Sequence, residues 1–312
     1  MSETNKENEL NRKKAVIIAG PTASGKSGVA LRLASAFGGE IISSDSMQIY
    51  RRMDIGTAKP SKEEQAAVPH HLIDIREPYE DYSVAEFNSD AKAAIEDILS
   101  RGKLPIICGG TGLYIESLLH PTDYGADSSA DRTLREELIK RDAHGLWLEL
   151  YGIDPVSAQK THENNKKRVV RALEIYYTTG KTKTELDRIQ KRFSPEYDFL
   201  LLLTGFGDRS ELYSRIDRRV DEMIAEGLVD ETERLLSSGD LRPGTTAYQA
   251  IGYKELFGYI NGEKSLSEAS DKLKQATRNY AKRQLTWFSS YDGVKINSYE
   301  DAEKAVSEFT GK

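Results

Sequence analysis

The chain has 312 residues, 38% of them hydrophobic and 30% charged, the balance of a globular protein long enough for roughly two domains. With 44 Lys+Arg against 50 Asp+Glu the net charge is -6, an average that argues against a polyanionic partner but says nothing about local clusters. Cys108 is the single cysteine and there are five histidines, which excludes an intrachain disulfide framework and leaves too few ligands for a structural zinc cluster.

No run of about 18 apolar residues suited to a membrane span occurs, and the first residues lack the basic-then-apolar pattern of a signal peptide. The expectation is a cytoplasmic protein without a membrane partner, monomeric by default. Residues 1–12 are polar, without apolar periodicity, and read as a disordered tail. Residues 15–19 (AVIIA) form a short unbroken apolar run of the kind buried on both faces of a sheet. A helix is predicted from Ser27 to about Phe37, stopped by Gly38-Gly39. Residues 40–44 are the next strand, with Asp45 at its carboxyl end, and residues 84–99 an amphipathic helix with a Ser83/Glu86 capping box. Residues 104–108 then form a strand running into Gly109-Gly110-Thr111-Gly112. Strand alternating with helix predicts an α/β fold, a parallel sheet flanked by helices.

From about residue 120 to 195 strand-type runs vanish and helical periodicity dominates, in 133–150 and 166–178. Residues 199–204 (FLLLLT) are again a buried strand, so the economical reading is an interrupted core. Residues 13–119 and 198–312 would form a P-loop-type α/β core with a helical C-terminal part, and 120–197 a helical insertion domain. After Asp208 the chain looks helical almost to its end.

The strongest motif is Gly20-Pro21-Thr22-Ala23-Ser24-Gly25-Lys26-Ser27, a full match to the phosphate-binding loop in its strand-to-helix setting. Glycines let backbone N–H groups converge on an anion, the helix N-terminus adds its positive end, and Lys26 delivers a charge to the terminal phosphates. Ser27 is placed to ligate Mg²⁺. The default class of such a loop is ATP or other nucleotide binding with phosphoryl transfer, which calls for an acidic residue at a later strand end. The strand at 104–108 ends in glycine instead, which weakens that reading. Asp45 does end a strand and should share a cleft with the loop; by position it is a general base, a Mg²⁺ organiser or a helix cap. Thr111 is either a hydroxyl donor to phosphate or reacting group, or a threonine bonded to its own loop.

Taken together, GPTASGKS at 20–27, DSMQIY at 45–50, DIGTAKP at 54–60, HHLID at 70–74 and GGTGLY at 109–114 resemble the tRNA dimethylallyltransferases of bacterial type. RVVRALE at 168–174, GYKE at 252–255 and KRQLTW at 282–287 extend the likeness over nearly the whole chain. The resemblance implies transfer of the dimethylallyl group from dimethylallyl diphosphate to N6 of adenine 37 in tRNA, with release of diphosphate. It makes residues 20–27 a cradle for the leaving diphosphate, with Mg²⁺ as cofactor, Asp45 the general base and Thr111 a hydrogen-bond partner of the reacting groups. Of Arg215 and Arg219, one helical turn apart, Arg215 is taken as the further diphosphate ligand.

For the tRNA anticodon stem-loop the resemblance implies contacts from Asp45, Ser46, Met47, Gln48 and Thr111 around an extruded base. Further contacts are implied for Arg135, Lys167, Arg168 and Arg171, for Gln249, Gly252, Tyr253 and Lys254, and for Lys282, Arg283, Gln284 and Trp287. Two basic stretches relieve the negative average. Lys166, Lys167, Arg168 and Arg171 form one, and Lys272, Lys274, Arg278, Lys282 and Arg283, with Tyr280 and Trp287 among or after them, the other. His70 and His71 are read as structural, and Cys108 as core.

Overall fold

The computed structural model describes residues 13–120, 132–190 and 196–312; the tail expected at 1–12 lies outside them. β1 (Lys14–Ala19) leads into α1 (Lys26–Phe37), followed by β2 (Gly39–Ser43), α2 (Lys62–Ala67), β3 (His70–His71), α3 (Val84–Ser100), β4 (Leu104–Gly109) and α4 (Gly112–Leu119). Next come α5 (Arg132–Lys140), α6 (Ala143–Ile153), α7 (Pro155–Gln159), α8 (Lys166–Thr179) and α9 (Lys183–Gln190). The chain closes with β5 (Asp198–Leu203), α10 (Arg209–Ala225), α11 (Leu228–Ser237), α12 (Phe257–Ile260), α13 (Leu266–Phe288), β6 (Val294–Lys295) and α14 (Tyr299–Thr310).

The strands form one sheet in the order β3-β2-β4-β1-β5-β6, every pair parallel. β1 lies inside it, with Ile17 opposite Ile107 on one side and Leu201 on the other. Its apolar run has no solvent exposure, and fully burying each of Val16, Ile17 and Ile18 contributes about 1.5–3 kcal/mol. On one face Val16, Ile18, Ile106 and Leu202 pack with Ala30 and Leu33 of α1 and with Ala302 and Val306 of α14. The capping box of α3 is present, Ser83 accepting from Glu86 N and Glu86 from Ser83 N. β3 and β6, two residues each, carry too little periodicity to be read from sequence.

The chain divides into two compact units, residues 116–196 and the remainder. The division thus falls within α4, a few residues before the break expected at 119–120. In the smaller unit every described element is helical, around Leu138, Leu146, Leu150, Val169 and Leu173. The helical periodicity over 133–150 is divided between two helices. Asp142 breaks the run, its carboxylate accepting from Gly145 N at 2.8 Å as the N-cap of α6.

Candidate active site

The carboxyl ends of β1, β2 and β4 meet, and the loops leaving them form one side of a cavity of about 390 Å³. The loop after β1 is held in shape by backbone geometry. Gly25 (φ 85°) and Ala23 (φ 59°) are left-handed, and a Cβ on Gly20 would stand 2.3 Å from Thr204 Oγ1, so glycine is required there. Ser24 and Thr204 hydroxyls hydrogen-bond at 2.6 Å, tying the loop to the end of β5. Lys26 opens α1, its Nζ donating to Pro21 O at 3.1 Å, and it lines the cavity with Thr22, Ala23 and Ser27. The free N–H groups of the first turn of α1 lie at this end, where the helix dipole favours an anion.

Asp45, Ser46, Met47 and Gln48 line the cavity from the loop after β2. Asp45 Oδ1 accepts from Met47 N at 2.9 Å, which fixes the rotation of the carboxylate. Thr111 is outside the lining residues; its Oγ1 accepts from Ser46 N (3.0 Å) and donates to Ser46 Oγ (3.3 Å), so it braces the Asp45 loop against the start of α4. Gln48 is held at both ends of its amide, Oε1 accepting from Ser43 Oγ and Nε2 donating to the carbonyls of Thr57 and Ala58. It anchors the cavity wall, and its polar atoms are occupied by protein.

The opposite wall is helical. α10 contributes Ile216, Arg219, Val220 and Met223, and α13 contributes Leu273, Thr277, Tyr280, Arg283 and Gln284. Each set repeats at helical spacing, one face per helix. Arg219 lines the cavity, whereas Arg215, taken from the resemblance as the further diphosphate ligand, is not among the lining residues. Arg215 is instead paired with Glu211 at 3.2 Å on its own helix. Burial lowers the pKa of the Lys26 ammonium, opposed by Cys108 and Asp45 and reinforced by Arg219. Burial likewise lowers that of the Arg219 guanidinium, with Asp45 opposing. Two partly dehydrated cations beside one carboxylate are poised for an anion that restores what hydration they have lost. Burial pushes the Cys108 thiol up to about 11, so it is an inert thiol of the cavity floor.

A family model described as IPP transferase matches residues 48–291. A tRNA dimethylallyltransferase from Caldanaerobacter subterraneus subsp. tengcongensis is 47% identical over 305 residues, 94% of this chain and 96% of that protein. The chain belongs to the tRNA dimethylallyltransferase family. A further family member from Geobacillus thermodenitrificans is 50% identical over 294 residues, 93% of this chain and 92% of its own. Among solved structures, a tRNA delta(2)-isopentenylpyrophosphate transferase from Staphylococcus epidermidis is 40% identical with a TM-score of 0.68, covering 96% of this chain and 99% of that one. A eukaryotic dimethylallyltransferase described as acting on tRNA is 32% identical with a TM-score of 0.81, covering 96% and 77%.

Family resemblance places several residues on RNA that the structure uses internally. Gln284 is buried, Oε1 accepting from Thr22 N and Nε2 donating to Gly110 O, both at 2.9 Å. It therefore clips the phosphate-type loop to the loop after β4. Tyr253 is fully buried, its hydroxyl donating to Glu231 Oε1 at 2.8 Å; Glu231 also accepts from the N–H groups of Asp54, Ile55 and Gly56. Gly252 lies beneath that loop at φ 111°, its own N–H donating to Glu255. Gln249, Gly252 and Lys254 all line the cavity, Lys254 Nζ donating to Gln249 O.

Of the basic stretch on α13, Lys274 pairs with Asp221 at 2.6 Å and Arg278 with Asp217, tying α13 to α10. Lys282 and Arg283 are exposed, and the Arg283 guanidinium lies 5.6 Å from the centroid of the Tyr280 ring. Trp287 is 41% exposed and lies over Gly112, where a Cβ would meet the indole at 2.5 Å. In the helical unit Lys167 and Arg168 are exposed, whereas Arg135 and Arg171 both pair at 3.4 Å with buried Glu174. Tyr280 is the lining residue whose place beside the reacting groups was not foreseen. Burial raises the pKa of its hydroxyl, and the Asp45 charge raises it further. The signal was present, seven residues before Trp287 on the same helix face, but nothing in the sequence says which face turns inward. His71 Nε2 bonds Glu40 and His70 Nδ1 lies 2.8 Å from Val68 O, both links within the fold.

Proposed function

We propose that the protein transfers the dimethylallyl group of dimethylallyl diphosphate to N6 of adenine 37 in tRNA, releasing diphosphate. The observation that carries this reading is one cavity in which Lys26 and Arg219 meet the Asp45 carboxylate. As the allylic C–O bond breaks, its electron pair goes to the diphosphate, where Lys26, Arg219 and the loop amides receive the charge. The adenine amine forms the new C–N bond and loses a proton, which Asp45 accepts. The base reaches the cavity extruded from its loop, with Thr111 steadying the Asp45 loop. Exposed Lys282, Arg283 and Trp287 contact the RNA, and in the helical unit exposed Lys167 and Arg168 are a separate basic set for the phosphate backbone.

A divalent metal fits this site. The Ser27 hydroxyl at the cavity is a hard oxygen donor, and Mg²⁺ takes few protein ligands and completes its shell with phosphate oxygens and water. Bound there, Mg²⁺ would neutralise charge on the diphosphate. On this reading the protein works as a monomer in the cytoplasm.

Labelled dimethylallyl diphosphate incubated with unmodified tRNA and, separately, with AMP tests the reading. Label in tRNA is expected. Label in AMP but not tRNA would make the protein a free-nucleotide isopentenyltransferase, and ATP-dependent phosphorylation without prenyl transfer would make it a kinase.

A further inference from the structure

The cavity has an apolar end that the ionic chemistry leaves unassigned. α10 and α13 run antiparallel, because Asp217 pairs with Arg278 while Asp221, one turn on, pairs with Lys274, one turn back. This register puts lining residues of the two helices at matching depths. Tyr280 is level with Ile216, Thr277 with Arg219 and Val220, and Leu273 with Met223. From Arg219 to Met223 is four residues, about 6 Å along the helix, and over that turn the wall changes from guanidinium to hydrocarbon.

Resting on the proposed function above, we infer that Met223 is the residue that sets the length of the prenyl chain. A donor whose diphosphate sits at Arg219 and Lys26 carries a tail with no polar group, and Val220, Leu273 and Met223 give it an apolar wall one turn deep. Val220 and Leu273 are 2% exposed and packed in the core around Tyr50, Met53 and Leu256, so they cannot move aside. Met223 is half-buried, unbranched and flexible, and of these three it is the side chain that can yield. A five-carbon tail stops short of it. A ten-carbon tail, such as that of geranyl diphosphate, has to displace it.

The test compares kcat/KM for dimethylallyl and geranyl diphosphate with the same tRNA in wild type, Met223→Ala and Met223→Phe. A single methylene more or less in an apolar pocket shifts selectivity by about 10–200-fold. Met223→Ala is expected to raise the geranyl:dimethylallyl ratio at least about tenfold, and Met223→Phe, which fills the end further, to lower dimethylallyl transfer mainly through KM for the donor. An unchanged ratio in Met223→Ala, with wild-type transfer from dimethylallyl diphosphate intact, would overturn the inference and leave the proposed function standing. Absence of wild-type transfer to tRNA from either donor would overturn both. Thermal melts of the variants separate a lost fold from a changed pocket.

Discussion

On the sheet side of the cavity each functional group is delivered by the carboxyl end of a strand, within a few contiguous residues. The loop at 20–27 follows β1 and Asp45 follows β2. On the helical side Arg219, Tyr280 and Arg283 come from two helices, spaced by turns and separated by some sixty residues. Their presence at the cavity is decided by which face packs inward and at what depth. A strand end fixes both the direction and the position of its loop, whereas helical periodicity fixes direction only. Arg215 and Arg219 share a face by spacing, yet one pairs with Glu211 and the other lines the cavity.

This contrast can be broken experimentally, beginning with the largest effect. Asp45→Asn keeps the shape of the carboxylate and the bond to Met47 N but removes the base; single-turnover transfer should fall about 10²–10⁴-fold with tRNA affinity kept. Near-normal turnover would remove Asp45 from its role. Arg219→Ala should cost about 10²-fold or more in kcat/KM for the donor, and Arg215→Ala only a few-fold. The reverse ranking would restore the expectation drawn from sequence. Gln284→Ala leaves the N–H of Thr22 and the carbonyl of Gly110 unpaired and should destabilise the fold by about 1–3 kcal/mol in denaturant titration. If it is structural, the salt dependence of tRNA binding does not change. Lys282→Ala with Arg283→Ala should weaken tRNA binding and flatten log Kd against log salt by about one to two units. A constant slope would put this patch off the RNA path.

The same physics explains what was legible in the sequence. Ala15–Ala19 has to be a strand because an apolar run of that length, ending in a glycine loop, is costly to expose. The Ser83/Glu86 box and the Gly38 stop are local signals with local consequences, and α3 and α1 begin and end there. Gln284 and Tyr253 are buried where the resemblance implies RNA contact, and the sequence hides this for one reason. A motif identifies residues a family needs without saying whether the need is contact or scaffold, and both are buried in hydrogen bonds that join segments distant in sequence. The break between α5 and α6 escaped because the apolar periodicity continues through it, and only the capping role of Asp142 interrupts it.

In the proposed reaction the two walls grip one anion. A double-mutant cycle on the binding of inorganic diphosphate tests it most directly, with wild type, Lys26→Ala, Arg219→Ala and the double variant measured by calorimetry. Side chains that share a ligand couple by about 0.5–3 kcal/mol, so the losses in the single variants should not sum to the loss in the double. Strictly additive losses would contradict the claim and place Lys26 and Arg219 on separate sites.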